Sequence, residues 1–205
     1  MIEFVNERIN HMRRPFRIKE DGSSQTRLSN NGRVGFYAER VCGIDPNSDQ
    51  RPDLGDWELK TCQGGKKVTI GTMSESEWKN IKTSPVLKFE KSAPYVKMKN
   101  TIFVVYEKLS DNNNPQYIVR GTATCQLSAL SAVVKQELQS DYEYICQIIR
   151  QRTKSRDNLT AYLQNNGSIS GMYLSLTYKG QGSCGYNYPA WNFTAAFMKK
   201  ILSDH

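Results

Sequence analysis

Ile2, Val5, Ile9 and Met12 recur at helical spacing and predict a helix over residues 2 to 12, stopped by Pro15. The polar run EDGSSQTRLSNNG reads as a linker or loop. The spacing then predicts a short helix from Val34 to Val41, capped by Asn30 or Asn31 and ended at Gly43. Residues 44 to 56, with Pro46, Asn47, Ser48, Pro52 and Gly55, are turn chemistry. WELKTC reads as a strand, and QGGKK as a hairpin turn into a second strand, VTIGTM. TIFVVYE and QYIVRGTATC are the most strand-like windows, separated by the turn cluster SDNNNP. SALSAVVKQELQSDYEYICQIIRQ predicts the longest helix, MYLSLTYK another strand and NFTAAFMKKIL a last helix. This order predicts one mixed α/β domain over residues 1–205, a central sheet flanked by helices, with residues 1–30 as helix and arm.

Composition narrows the function. The 28 Lys+Arg against 20 Asp+Glu leave a net charge of +8, which suits a polyanion such as nucleic acid or an anionic membrane surface. No apolar run approaches the roughly 18 residues of a membrane span. The start, MIEFVNERINHMRRPF, is broken by charges and does not read as a signal peptide. The five cysteines (Cys42, Cys62, Cys125, Cys146, Cys184) form no CxxC and read as reduced core residues of an intracellular, cytoplasmic protein. With only His11 and His205, at opposite ends of the chain, histidine triads and three-histidine metal sites are nearly ruled out, so catalysis is expected to rest on carboxylates and lysines.

One segment concentrates such groups: Pro52-Asp53-Leu54-Gly55-Asp56-Trp57-Glu58-Leu59-Lys60-Thr61. On a strand, Glu58 and Lys60 share one face, while Trp57, Leu59 and Thr61 share the other and can enter the core. Asp53, across the turn, can return beside Glu58. Two converging carboxylates suit a hard divalent ion, and an adjacent lysine can orient water or offset phosphate charge. A solvated strand of alternating charges is the plain alternative on spacing alone.

PD…ExK resembles the signature of the PD-(D/E)xK nucleases, and PDLGDWELKT resembles their MutH/MvaI-like branch of restriction endonucleases. NGRVGFYAER resembles the preceding helix of that branch and places an acidic residue at Glu39. YVKMKNTIFVVYE resembles the segment supplying a further active-site lysine, Lys97, with Lys99 as the neighbouring alternative. Asn192-Phe193-Thr194-Ala195-Ala196 resembles the end of MutH-type chains. The spacer between Asp53 and Glu58 is shorter than in MutH, and Pro189, Ala190 and Trp191 replace its basic residues there. The resemblance implies a restriction-endonuclease-like core and a Mg²⁺-dependent, sequence-specific endonuclease acting on double-stranded DNA, with Mn²⁺ able to substitute. It further implies Asp53, Glu58 and the Leu59 carbonyl as metal ligands, Lys60 beside the attacking water, and Glu39 and Lys97 completing the electrostatic shell. A short palindrome, such as GATC or a CCNGG-like site, is the implied target, and a monomer the implied catalytic unit. A MutH-like repair nicking enzyme is the functional alternative within this branch.

Two rivals come from other classes. A DNA- or RNA-binding module gains nothing from Asp53, Glu58 and Glu39, which repel a phosphate backbone. A carboxylate-pair glycosidase leaves Lys60 and the basic excess without a role. Gly180-Gln181-Gly182-Ser183-Cys184-Gly185 matches a dinucleotide fingerprint, but YNYPAW follows where a helix must open. Base reading is expected from residues 179–191, chiefly Lys179, Gln181, Tyr186, Asn187 and Tyr188, with Gln63 and Lys66 as lesser contributors. Trp191 could stack on bases or lie in the core. Arg150, Arg152, Lys154 and Arg156 read equally as a phosphate stripe or as the solvated end of the long helix.

Overall fold

Strands β4 (Asn100–Lys108) and β5 (Gln116–Gln126) send alternate side chains into two different cores. Ile102, Val104 and Tyr106 of β4 join Tyr117 and Val119 of β5 and the N-terminal Val5, Ile9 and Met12 on one side. Phe103 and Cys125 enter a larger core on the other. Both faces are covered, so TIFVVY lacks a polar face. The computed structural model describes residues 1–18, 33–44, 52–110, 115–180 and 187–203. The 20–32 linker with its asparagine cap, most of the 44–56 turn, the interior of SDNNNP, and Gln181, Cys184 and Tyr186 lie outside the described residues.

The first sheet has the order β1-β5-β4-β2, with β1 at Phe16–Arg17 and β2 at Glu58–Gln63. β2 runs parallel to β4, and the other pairings are antiparallel, which is the mixed sheet the pattern predicts. A second, antiparallel sheet has the order β3-β8-β7-β6: β3 Val68–Thr72, β6 Ile169–Ser170, β7 Leu174–Gly180 and β8 Asn187–Phe193. Its Leu174, Leu176, Trp191 and Phe193 pack into the same large core as Phe103.

Two expectations are corrected. QGGKK does not close a hairpin, because β2 pairs with β4 and β3 with β8. Gly64 and Gly65, at φ of 49° and 74°, turn the chain out of one sheet and into the other. Residues 187–193 form a strand at the centre of the second sheet rather than a loop, and Asn192 and Phe193 end that strand instead of opening the last helix. Pro189 is tolerated there because its carbonyl side meets only Met73, where β3 has already ended. A strand after the glycine-rich segment also removes the dinucleotide reading.

The helices are α1 (Ile2–Arg8, continued by a 3-10 turn), α2 (Arg33–Val41), α3 (Glu75–Thr83), α4 (Ala93–Met98), α5 (Ala132–Arg152), α6 (Arg156–Asn166) and α7 (Ala195–Ser203). The sequence reading missed α3, α4 and α6, although each has a serine N-cap: Ser74, Ser92 and Ser155. Ser74 and Glu77 even have capping-box spacing, a legible signal. Arg150 is structural: its guanidinium donates to the Ile81 and Ser84 carbonyls, while Lys82 Nζ donates to the Arg150 and Thr153 carbonyls. The C-termini of α3 and α5 thereby satisfy each other's last carbonyls.

Glu77 lies buried in the large core, where its carboxyl accepts a 2.9 Å hydrogen bond from Trp191 Nε1. Trp191 is therefore a core residue. Burial pushes the Glu77 carboxyl up to about 7, against the downward pull of the Trp191 hydrogen bond and a backbone bond at Ser74. A raised folded pKa contributes stability that is fully present below the unfolded value and is lost as pH rises through 7. The shift corresponds to about 3 kcal/mol. Neighbouring Cys146 is itself pushed up to about 12 and does not titrate in that window. Glu77→Gln keeps an acceptor for Trp191 and should flatten the fall in urea midpoint between pH 5.5 and pH 8.5. An unchanged slope would exclude Glu77 as its source.

Candidate active site

The site is assembled where β2 begins. Gly55, at φ of 64°, closes a tight turn in which Leu54 and Trp57 exchange backbone hydrogen bonds of 2.8 and 3.1 Å. That turn brings Asp53 back over the strand, and its Oδ2 accepts from Leu59 N at 3.3 Å. Asn100 Nδ2 donates to the Asp56 carbonyl at 3.2 Å, tying the turn to the start of β4. Leu59 anchors the strand in the smaller core. Helix α2 closes on the same strand face, since a Cβ on Gly35 would come within 3.3 Å of Thr61 Oγ1.

Lys97 arrives by a different route. The parallel register sets Glu58 opposite Thr101, so α4, immediately before β4, ends beside Glu58. Met98 is fully buried and fixes the helix, while Lys97 Nζ lies 3.4 Å from Glu58 Oε1. Lys60 Nζ forms an ion pair with the same oxygen. Lys99 is exposed and spends its carbonyl on Leu127 N, leaving Lys97 as the lysine at this carboxylate.

Glu58 is 0% exposed, whereas the alternating pattern placed it on an open face. Both faces of β2 are covered, because Cys62, four residues after Glu58 and on the same face, enters the large core. Glu58 Oε1 faces two ammonium groups, yet among the described residues neither carboxylate oxygen receives a well-directed hydrogen bond, and Oε2 has no donor. A buried carboxylate oxygen left this way is costly unless a cation satisfies it. Glu58 and Asp53, with the carbonyl of Leu59, the residue after Glu58, are hard oxygen donors and fit a divalent ion such as Mg²⁺. That ion is commonly held by one or two carboxylates and keeps several waters. Among the described residues no three His, Cys, Asp or Glu side chains gather into a group that could hold a metal by themselves.

Glu39, half-buried on α2, belongs to the same cluster. Burial raises its pKa, Lys60 and Lys97 lower it, and Asp53 and Glu58 raise it further. It therefore holds a proton more readily than a free glutamate. The sequence reading assembled Asp53, Glu58, Lys60, Glu39 and Lys97, and the structure brings all five together. Gln63 and Lys66 sit at the turn after β2, with Lys66 exposed, and Tyr188 lies in β8 with the Arg156 guanidinium 4.9 Å from its ring centre. Asn187 begins β8, and its side chain lies outside the described residues.

No curated protein matches the chain. The fold is similar to the solved structure "Restriction endonuclease MvaI-cognate DNA substrate complex", with a TM-score of 0.52 and 12% identity. That match covers 98% of this chain and 97% of the other. No helix among the described residues is long and apolar enough to cross a membrane. Residues 12–171, which hold the whole carboxylate and lysine cluster, match one family in sequence, and the chain belongs to the MvaI/BcnI restriction endonuclease family.

Proposed function

We propose that the protein is a Mg²⁺-dependent type II restriction endonuclease that hydrolyses double-stranded DNA at a short palindrome and works as a monomer, with Mn²⁺ able to replace Mg²⁺. The observation that carries this reading is the buried Glu58 carboxylate, one oxygen between two lysines and the other without a donor among the described residues. When bound, the divalent ion supplies Lewis-acid stabilisation of the phosphate and a more acidic water. Asp53 and Glu58 hold it, with the Leu59 carbonyl. Lys60 orients the attacking water, Lys97 offsets charge on the phosphate, and Glu39 tunes Lys60 through the field they share. Gln63, Lys66, Lys99, Asn187 and Tyr188, together with Gln181 and Tyr186, contact the DNA around that centre.

The deciding experiment is digestion of supercoiled plasmid. Cleavage is expected with Mg²⁺ and none with EDTA, with an open-circle intermediate, since one catalytic centre must cut the two strands in turn. Sequencing the ends gives the target. Cleavage that persists in EDTA, or DNA binding without cleavage in any divalent ion, would overturn the reading. Light scattering showing a tight dimer, with linear DNA formed directly, would overturn the monomer.

A further inference from the structure

α4 brings Lys97 to the carboxylate with only six residues, too few for a helix to hold its shape in isolation. Its placement therefore depends on what its ends are fastened to. Ser92 caps the N-terminus, its hydroxyl accepting from Tyr95 N at 3.3 Å. The last carbonyls of a helix have no partner within it, and here the first sheet supplies two. Leu127 N, just past β5, donates to the Lys99 carbonyl at 2.9 Å. Thr101, the second residue of β4, donates its hydroxyl to the Met98 carbonyl at 3.0 Å. Met98 directly follows Lys97, so this bond grips the helix where the lysine springs from it.

Thr101 is 0% exposed and stands opposite Glu58 in the parallel register of β2 and β4. Paired residues of a parallel ladder point to one face, and on that face Phe103 of β4 and Cys62 of β2 enter the large core, as Met98 does. The Thr101 hydroxyl also lies 3.9 Å from Met98 Sδ, so it touches both the backbone and the side chain of that residue. It is committed to α4 rather than to Glu58, whose Oε1 is left to Lys60 and Lys97. The stem of Lys97 runs past β3 of the second sheet, since a Cβ on Gly71 would lie 3.9 Å from Lys97 Cδ. With its root held by Thr101 and its stem beside Gly71, Lys97 Nζ comes to 3.4 Å from Glu58 Oε1.

We propose that Thr101 is a positioning residue for cleavage: by holding the Met98 carbonyl, its hydroxyl sets Lys97 beside Glu58, where the ammonium can meet the scissile phosphate. This rests on the nuclease reading and extends it to a fully buried residue that DNA cannot touch. Thr101 makes and breaks no covalent bond in the reaction and acts only through Lys97. Without the hydroxyl, the Met98 carbonyl is left unpartnered in a buried place, and the end of α4 must shift to satisfy it. A small displacement of a charged group at a reacting centre costs far more in rate than in binding.

The test uses full-length Thr101→Val, Thr101→Ser, Lys97→Met and the Thr101→Val/Lys97→Met double variant, with DNA whose cut position has been mapped. Valine keeps the shape without the donor, and serine keeps the donor. Single-turnover cleavage by Thr101→Val should fall about tenfold, while Thr101→Ser stays within about threefold of wild type. DNA affinity in Ca²⁺ should change by less than about twofold, because the loss lies at the chemical step. In the Lys97→Met background, Thr101→Val should cost less than about twofold more, since the group it positions is already gone. An about tenfold loss in both backgrounds would overturn the proposal, because the threonine would then act on the fold or on Glu58. A wild-type rate in Thr101→Val, or in Lys97→Met, would overturn it as well. Should urea unfolding show that valine prevents folding, Thr101→Cys, similar in size and a weaker donor, goes through the same two backgrounds with the same criteria. Wild-type protein that fails to cut with Mg²⁺ would overturn the nuclease reading itself, and this proposal with it.

Discussion

Glu58→Gln should lower single-turnover cleavage at least a hundredfold, the loss expected when a preorganised charged group is removed from such a site. The substitution keeps the shape of a side chain that is 0% exposed, so the fold is expected to survive. It removes the charge that holds Lys60 and Lys97 together and a hard ligand for the metal. Lys60→Ala should cause a loss of similar size while leaving both carboxylates in place. DNA binding separates catalysis from folding. In EDTA, Glu58→Gln should bind DNA more tightly than wild type, because one carboxylate no longer repels the phosphate backbone. Gel shifts in EDTA and quenched-flow cleavage in Mg²⁺ measure the two effects. Near wild-type cleavage by either variant, with an unchanged melting temperature, would remove these residues from the mechanism.

Asp141→Ala should destabilise the protein by about 3–5 kcal/mol, a large part of the roughly 5–15 kcal/mol that holds a domain folded. Asp141 is a buried carboxylate on α5 whose neutralising partners are backbone amides. Its Oδ1 accepts from Met172 N at 2.9 Å, and its Oδ2 accepts from Tyr173 N and Leu174 N at 2.6 and 2.8 Å. Alanine leaves these donors without a partner at the point where the chain turns into β7. Asparagine should be little better, since its amide turns a donor toward donors. Gly171 is bound to the same device: a Cβ there would stand 1.9 Å from Asp141 Oδ1, so Gly171→Ala must displace the carboxylate or the turn. Urea unfolding of Asp141→Ala and Gly171→Ala should show parallel losses. An Asp141→Ala midpoint within experimental error of wild type would show that water replaces the carboxylate.

Local patterns made the strands and the longest helix legible. β4 and β5 are dense in β-branched and aromatic residues, and α5 keeps its helical period for 21 residues. Short α3, α4 and α6 escaped because their apolar faces are small, so their signal lies in caps rather than in period. The cluster of Asp53, Glu58 and Lys60 was legible for a similar reason. A turn and one strand bring these residues together within eight positions, so geometry over short range suffices. Glu39 and Lys97 needed the family resemblance to be noticed, since nothing local links α2 or α4 to β2.

The chain's own order of residues thus settles which segments are strands or long helices, where the turns fall and that Asp53 returns beside Glu58. Tertiary structure alone decides which sheet each strand joins. Gly64 and Gly65 permit a hairpin or a departure equally well, and the choice falls to β4 and β8, which lie far away in the chain. Burial is decided in the same way. Period two says that Glu58 and Leu59 face opposite sides, but whether both sides are covered depends on the packing of residues from the whole chain. The approach of Lys97 to Glu58 is the extreme case, because it joins the end of α4 to the start of β2. No periodicity or spacing encodes that distance, since it is the sum of many packing contacts, each weak by itself.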